Sequence, residues 1–305
     1  MGQVNSSEEP PVKPELLVSE LIGEVTEDDY YARSIIILDN FTTERINISP
    51  SNDGLIFDDA YLLANPGYLS LEHGYARLAN GTMYIAVLTN FGQDVNGKMF
   101  DWWFCNVDNK EKYRWWHPRD HIDGNWDPQY YAIMPQERSV GHYITHTHIV
   151  KEKINNIEQC LHIEFERPSK YFDVTKFNEQ NITACLVARI STYDSMLGMI
   201  AIGYLIHIVR TIDDHGNSEL RSRFWLGDIN YPETSDNLVF ANMINSIANT
   251  YLIRYMKATS SLAYNILKHC SEEMNCLKEI LPDFYKRSTT NIMINNNNNR
   301  VEADL

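Results

Sequence analysis

The sequence predicts an α+β fold in which a curved antiparallel sheet packs against one long C-terminal helix. Between residues 81 and 228, several segments alternate apolar and polar residues with the period of two that is typical of strands. Turn-forming residues such as Asp213–Asn217 separate these segments, which favours hairpins. The stretch from residue 235 to about 281 then lacks proline and glycine and carries apolar residues at helical spacing, which predicts the helix.

The predicted strands follow one another along the chain with short connections. Strands joined in this way pair antiparallel, and a helix that follows them can cover one face of their sheet. We therefore expect a cavity that is lined by strand residues on one side and by the helix on the other. The strand segments are 82–91, 143–154, 160–168, 182–192, 199–213 and 218–228.

Composition divides the chain into four predicted units. Residues 1–28 are rich in Glu, Pro and Ser and predict a flexible N-terminus, followed by a small N-terminal unit over 29–78. Residues 79–290 form the predicted main domain, and 291–305 form a low-complexity tail. The first residues, MGQVNS, match the pattern for N-myristoylation of Gly2, although one acyl chain anchors a protein only marginally.

The charge of the chain excludes several classes of partner. A net charge of -15 disfavours nucleic acid and anionic membranes, which attract basic surfaces. No apolar run is long enough to cross a membrane. Five cysteines without a CxxC pattern predict reduced thiols and a cytoplasmic protein. The sequence leaves open whether the chain is a monomer or a homodimer.

The segment KHCSEEM, near the end of the predicted helix, carries a candidate half of a metal site. Residues four apart lie on the same face of a helix, so His269 and Glu273 project together. Imidazole and carboxylate are good ligands for zinc. A lone HxxxE pair is weak evidence, because the same spacing also occurs on ordinary helix surfaces.

The strand segment YITHTHIVKEKI places a second group of candidate ligands on one face. Strand periodicity puts His146, His148, Val150 and Glu152 on the same side. If this face points inward, Glu152 needs a partner, because an unpaired buried carboxylate is costly, and a divalent cation would serve. If it points outward, these side chains are simply solvated, and the pattern alone does not decide between the two.

The segment Phe100–Tyr131 contains five of the six tryptophans and two further histidines, His117 and His121. So dense an aromatic cluster could form a wall for a flat ring. It could equally be a well-packed core with no ligand, which is the commoner use of tryptophan. The zincin HExxH, the serine-hydrolase GxSxG and the Walker A motifs are absent from the sequence.

Five segments together resemble the 2,4-diacetylphloroglucinol and phloretin hydrolases. They span about residues 100 to 281 and occur in the order YRWWHPRDH, HIVKEKI, HIVR, ELRSRFWLG and HCSEEMNCL. The resemblance implies a helix-grip fold similar to START and Bet v1 proteins. It also implies a metal-dependent hydrolase that cleaves the carbon-carbon bond between an acyl group and a polyhydroxylated aromatic ring. The cofactor implied is one Zn²⁺ per chain, and the substrate is a small aromatic ketone of the acylphloroglucinol type.

The resemblance also implies roles for particular residues. Its zinc ligands fall on His121, Glu152, His269 and Glu273. A tyrosine that contacts the acyl group of the substrate falls on Tyr113, and a pocket histidine falls on His207. The chain departs from the family at Cys105-Asn106, where we expect Trp-His, so a pocket contact and the substrate could differ.

Two alternatives remain open at this point. A START-like binding protein could hold an aromatic polyketide or another hydrophobic ligand in the same cavity without converting it, and it would need no metal ligands. A related metal-dependent hydrolase or lyase that acts on another polyketide would share every residue named above. Metal content separates the first alternative from the hydrolase, whereas only turnover separates the second.

Overall fold

The structure, a computed structural model, describes residues 26–42, 46–131, 141–233 and 237–303. Its centre is one eight-stranded sheet in which every neighbouring pair is antiparallel, in the order β1-β2-β8-β7-β6-β5-β4-β3. The strands are β1 (Gly74–Arg77), β2 (Met83–Gly92), β3 (His121–Trp126), β4 (Thr147–Ile154), β5 (Ile157–Glu166), β6 (Ile182–Asp194), β7 (Gly198–Thr211) and β8 (Ser218–Asn230).

Seven helices accompany the sheet in the described parts of the chain. The last of them is long and packs against the inner face of the sheet, so the predicted α+β helix-grip class is confirmed. All six predicted strand segments coincide with strands, while β1 and β3 were not predicted. The helices are α1 (Glu27–Asn40), α2 (Gly97–Asn106), α3 (Lys110–Trp116), α4 (Pro128–Tyr131), α5 (Leu238–Ala248), α6 (Tyr251–Lys257) and α7 (Ser260–Ala303).

The inner face of the sheet carries one core, and the outer face carries a second core over β1, β2 and β6 to β8. The inner core joins α7, α2 and α3 to inward side chains such as Ile85 and Phe224. The outer core joins Trp225 and Tyr84 to the segment that precedes β1, which includes 3-10 helices at Ser51–Asp53 and Phe57–Ala64. Adjacent residues of β8 therefore contribute to opposite cores, as strand geometry requires.

The stretch from 235 to about 281 is not one helix, which corrects the sequence-based expectation. Helix α5 ends at Asn249 and α6 begins after Thr250, and α6 ends at Ala258 before α7 begins at Ser260. The side chain of Asn249 exchanges hydrogen bonds with the backbone of Ile229 in β8. Asparagine side chains compete with helical hydrogen bonds in this way, so the chain breaks there.

The apolar residues of α5 and α6 also point away from the core, contrary to the expected wide buried face. Val239, Ile247 and Leu252 are exposed, whereas Asn245 and Asn249 face β8. The helix that carries the candidate ligands is α7 alone.

The N-terminal predictions are only partly covered by the described residues. Gly2 and nearly all of the predicted flexible segment 1–28 lie outside them. Helix α1 packs against α7 and α3, and β1 pairs with β2 although it precedes the predicted boundary at residue 78. Among the described helices, none combines the length and the apolar character that crossing a membrane requires.

Candidate metal centre and cavity

Four candidate ligands come from three elements of the inner face. His121 is the first residue of β3 and lies directly opposite Glu152 of β4 in the strand register. His269 and Glu273 lie one turn apart on α7. No strand was predicted at His121, so its position at the start of β3 comes from the structure. Strand pairing therefore fixes one half of the site, and helix geometry fixes the other.

The inward atoms of these residues converge on one point. The Nε2 atom of His121 lies 3.9 Å from Oε2 of Glu152 and 3.5 Å from Oε2 of Glu273. The Nε2 atom of His269 lies 3.7 Å and 3.8 Å from the same two oxygens. Ligands about 2.1 Å from a tetrahedral zinc ion lie about 3.4 Å from one another, so these separations are close to those of a zinc site.

A short helix and a proline place His121. The side chain of Asn109 caps α3 by accepting a hydrogen bond from the Lys112 N–H, and α3 ends at His117 because Pro118 disfavours helix at the residue before it. The turn at residues 118–120 then places the His121 ring against the Tyr113 ring.

Two contacts with Tyr113 then fix the orientation of His121. The His121 ring stacks on the Tyr113 ring at 3.9 Å, and its Nδ1 donates to the Tyr113 carbonyl at 2.9 Å. A Cβ atom at Gly124 would lie 2.6 Å from the Tyr113 ring, so only glycine lets this ring lie on β3. Because Nδ1 of His121 is hydrogen-bonded to this carbonyl, Nε2 is the nitrogen that faces the other candidate ligands.

A carboxylate orients the second histidine in the same way. The Nδ1 of His269 donates to Oδ2 of Asp120 at 3.0 Å, which leaves Nε2 for the converging oxygens. Metal-binding histidines commonly bind a carboxylate through their other nitrogen. Asp120 was not among the predicted site residues. The signal was present in the HPRDH motif, where Asp120 directly precedes His121.

His117 and Glu272 form an outer layer beside Asp120. The Nδ1 of His117 accepts from the backbone N–H of Asp120 at 3.1 Å, and its Nε2 lies 3.5 Å from Oε2 of Glu272. The group His117, Asp120 and His269 also has the proximity expected of metal ligands. It shares His269 with the second such group, His121, Glu152 and His269, toward which Nε2 of His269 points.

Burial and mutual charge shift the pKa values of all four candidate ligands. Burial lowers the pKa of His121 to about 3, so this imidazole is neutral. Burial would raise the pKa of Glu152, but His269, His121 and the Tyr113 hydroxyl together lower it to about 2. Burial raises the pKa of Glu273 to about 7. Burial would lower the pKa of His269, but the surrounding carboxylates raise it well above its usual value.

These residues fit a divalent cation. His121, Glu152 and His269 offer ligand atoms that lie within 4.8 Å of one another, and Glu273 contacts both histidines. The Nε2 atom of His121 is buried and has no hydrogen-bond partner. A divalent cation placed among these groups would compensate both carboxylates, and a nitrogen that points among them without a hydrogen bond has the geometry of a metal ligand.

A cavity of about 140 Å³ lies next to this cluster, between the inner face of the sheet and α7. Its walls are mostly apolar, and Glu152, His269 and Glu273 line one side of it. Of the five tryptophans in the aromatic block, Trp116 is the one among its lining residues. The other four lie in the packed core. Of the predicted tryptophan wall, Trp116 alone therefore lines the cavity. Other apolar lining residues include Phe104, Phe165, Ile190, Leu205, Phe224 and Ile266.

Both predicted pocket residues line this cavity. The Tyr113 hydroxyl donates to Oε2 of Glu152 at 2.8 Å, so it contacts a candidate ligand directly. His207 also lines the cavity, and its Nδ1 lies 2.7 Å from the Ser222 hydroxyl. Neither Cys105 nor Asn106 is among the lining residues.

The cavity wall contains two further polar residues, His148 and Gln159. His148 lies two positions before Val150 on the inward face of β4, stacked on Trp126 at 5.0 Å. It belonged to the predicted inward group of β4 but received no role. His146 of the same predicted group lies outside β4 and stacks on Tyr130 instead.

Comparisons with known proteins give one substantial match. The family described as the DAPG hydrolase PhiG domain matches residues 55–286, which is more than half of the chain. No curated protein matches the chain.

Matches among solved structures are weak. Ara h 8.0201 is 8% identical with a TM-score of 0.28, and the match covers 61% of this chain and 98% of that chain. Protein Ms6760 from Mycobacterium smegmatis is 9% identical with a TM-score of 0.27 and coverages of 63% and 92%. EF2215 from Enterococcus faecalis is 11% identical with a TM-score of 0.25 and coverages of 72% and 96%. These scores are too low to support a conclusion.

Proposed function

Because this chain belongs to the DAPG hydrolase family, we propose that it is a metal-dependent hydrolase of acylated polyhydroxylated aromatic rings. The bond cleaved is the carbon-carbon bond between the ring and the acyl carbonyl, and the products are a carboxylic acid and the free phenol. The observation that carries the proposal is the convergence of two imidazoles and two carboxylates at the wall of an apolar cavity.

The proposed cofactor is one Zn²⁺ ion held by His121, Glu152, His269 and Glu273. Such an ion supplies a Lewis acid that polarises a carbonyl or lowers the pKa of water. The two carboxylates offset its charge, so we expect protein groups in the cavity to share the stabilisation of the transition state.

Tyr113 is the proposed donor to the acyl oxygen. Burial and the neighbouring Glu152 raise the pKa of Tyr113 well above its usual value, so its hydroxyl keeps its proton and can donate. That hydroxyl lies at the boundary between the cluster and the cavity. Its one O–H donates to Glu152 in the structure, and it would turn to the acyl oxygen as negative charge develops there.

The leaving group requires a proton on the ring carbon. Without it, cleavage would produce an aryl carbanion, whereas transfer of the proton of a ring hydroxyl to that carbon gives the keto tautomer and turns the cleavage into a retro-Claisen reaction. His207 is the proposed proton carrier, since it is a titratable group of the cavity wall that is not a candidate metal ligand.

The apolar walls have two effects on this chemistry. Phe104, Trp116 and Phe224 present aromatic rings to the cavity, which suits a flat substrate. They also exclude bulk water, which strengthens the electrostatic interactions of the few polar groups.

A binding protein is the second candidate, because most of the cavity lining is apolar. A carrier for a hydrophobic ligand has no use for a buried group of two imidazoles and two carboxylates, so this candidate ranks lower.

A panel of acylphloroglucinols incubated with the purified protein tests the proposal, with products identified by mass spectrometry. We expect release of the carboxylic acid, loss of activity after chelation, and recovery when zinc is added. Non-hydrolysable phenols without an acyl group provide the control. A protein that contains no metal and binds these ketones unchanged would favour the carrier.

A further inference from the structure

The inward face of β4 forms one wall of the cavity together with β5, its neighbour in the sheet. Three successive inward register pairs of these strands all line the cavity. The pair at one end contains the candidate ligand Glu152, and the pair at the other end contains His148. Cα atoms four residues apart in a strand lie about 13 Å apart, so His148 marks the end of this wall that is distant from Glu152. The three pairs are Glu152 with Gln159, Val150 with Leu161, and His148 with Ile163.

The imidazole of His148 is a buried polar group without a polar partner in the described part of the chain. Its exposed fraction is 4%, the ring forms no hydrogen bond with the described residues, and its Nε2 atom is buried. The ring contacts are aromatic, with Trp126 stacked at 5.0 Å and the Tyr113 ring edge-on at 6.1 Å. Buried polar side chains almost always have a hydrogen-bond partner. Because His148 lines the cavity, a bound ligand can supply this partner.

A hydroxyl group of a ligand suits His148 better than other oxygen groups do. Burial lowers the pKa of His148 to about 3, so the ring is neutral, with one nitrogen that donates and one that accepts. A hydroxyl group both donates and accepts, so it can bind this ring in either tautomer. A ketone or carboxylate oxygen only accepts and could bind one tautomer alone. The far end of the wall therefore favours a ligand that carries a hydroxyl there.

We propose that His148 binds the ring hydroxyl para to the acyl group of the substrate and makes that hydroxyl a requirement for tight binding. With the acyl oxygen at the Tyr113 hydroxyl, the aromatic ring would lie over Val150 and Leu161, and its para position would point toward His148. This inference deepens the proposed function, on which the orientation of the ligand rests. A buried imidazole left without a hydrogen bond costs free energy, which is the source of the selection.

Binding of a matched set of aromatic ketones tests this preference. Monoacetylphloroglucinol is compared with two analogues, one that lacks the para hydroxyl and one that lacks an ortho hydroxyl. Stopped-flow quenching of tryptophan fluorescence gives their dissociation constants from the rapid binding phase, so no turnover is needed. For the wild-type protein with zinc, we expect removal of the para hydroxyl to weaken binding by about tenfold, the effect of one lost hydrogen bond.

One variant removes the proposed contact and a second provides its control. His148→Phe removes both ring nitrogens and keeps an aromatic ring against Trp126. In this variant, removal of the para hydroxyl should no longer weaken binding, whereas the effect of removing the ortho hydroxyl should stay as in wild type. His146→Phe is the matched control, because His146 stacks on Tyr130 and is not among the residues that line the cavity. It should keep the wild-type preference for the para hydroxyl.

Equal affinity of the wild-type protein for the parent ketone and the analogue without the para hydroxyl would overturn the proposal, whether or not the variants fold. So would an undiminished preference in His148→Phe. Hydrolysis of both ketones without this preference would count against the inference alone. The expected preference without hydrolysis, in protein that holds zinc, would count against the proposed function alone.

Discussion

Two clusters of buried charge lie on opposite faces of the same sheet. On the outer face, Glu72 accepts hydrogen bonds from Arg221 at 2.6 Å and also from Arg223. Beside them, Arg210 donates to Glu219 at 2.6 Å. Burial alone would raise the pKa of Glu72, but the two guanidinium groups lower it below its usual value. Every carboxylate of this outer cluster thus has a guanidinium partner.

The carboxylates of the inner cluster have no arginine partner of this kind. Its imidazole nitrogens and carboxylate oxygens face one another at 3.5 to 3.9 Å, farther apart than hydrogen bonds, around a common point. No lysine or arginine is among the residues that line the adjacent cavity. Burial consequently raises the pKa of Glu273 to about 7.

The two clusters therefore differ in the groups that balance their carboxylates. A buried carboxylate that has its own cation holds two segments together, as Glu72 attaches the segment before β1 to β8. We propose that the inner carboxylates, whose oxygens converge with imidazole nitrogens, hold a metal cation instead. Each of the following variants should affect one cluster and leave the other unchanged.

Tyr113→Phe should have the largest effect on the inner face. Removal of a donor to the developing oxyanion lowers turnover by roughly 10² to 10³. The hydrogen bond to Glu152 adds the expectation that zinc binds somewhat less tightly, so turnover should be measured at saturating zinc. Wild-type turnover under that condition would remove Tyr113 from the mechanism.

Glu72→Gln should affect the outer face alone. It leaves Arg221 and Arg223 buried without a counter-charge, which should lower the free energy of unfolding by about 3 kcal/mol in urea denaturation. Metal content should stay unchanged. Glu158→Gln is the matched control, because Glu158 is exposed and lies 4.0 Å from Lys153, and it should leave stability unchanged. A loss of metal in Glu72→Gln would show that the two faces are coupled.

Asp120→Asn should weaken metal binding by about 10- to 100-fold, as replacement of a carboxylate behind a histidine ligand does. The amide preserves the shape of Asp120 but removes the charge that orients Nδ1 of His269. Zinc affinity measured by competition with a chelator checks this. Asp123→Asn, two residues beyond His121 on β3, serves as the control. Equal affinities in both variants would contradict the role of Asp120.

Metal affinity should rise with pH. In the metal-free protein, burial raises the pKa of Glu273 to about 7, and the neighbouring carboxylates raise that of His269 well above its usual value. Both groups therefore hold protons at about pH 6, and a cation must displace them. We expect zinc affinity to increase by about tenfold or more from about pH 6 to about pH 7 in calorimetric titrations. A pH-independent affinity would mean that neither group is a ligand.

The sequence predicted the fold class and the four ligands for different reasons. Period-two alternation revealed the six longer strands, because each buries one face or both against a core. The prediction of one helix with a buried apolar face after residue 235 was wrong, because helical periodicity does not show whether an apolar face points inward. Asn245 and Asn249 turn α5 around by binding the end of β8, and this contact exists only in the folded chain.

The candidate site was only partly predictable. Helical spacing alone paired His269 with Glu273, and strand periodicity made Glu152 a candidate. The family resemblance then added His121 and selected Glu152 as a ligand. The contact of Asp120 with His269 joins residues 149 positions apart, and that of Ser222 with His207 depends on the register of β7 and β8. Strand register and the path of the chain after Pro118 decide these contacts, and neither is visible in a local pattern.

Elemental analysis of three purified proteins tests the central claim most directly. Glu273→Gln and Glu272→Gln each replace a buried carboxyl group with an amide at neighbouring positions. Glu273 faces His121 and His269, whereas Glu272 faces His117. We predict one equivalent of zinc in the wild type and in Glu272→Gln, and a strong loss of zinc in Glu273→Gln. Equal zinc content in the two variants, or none in the wild type, would contradict the assignment of this cluster as a metal centre.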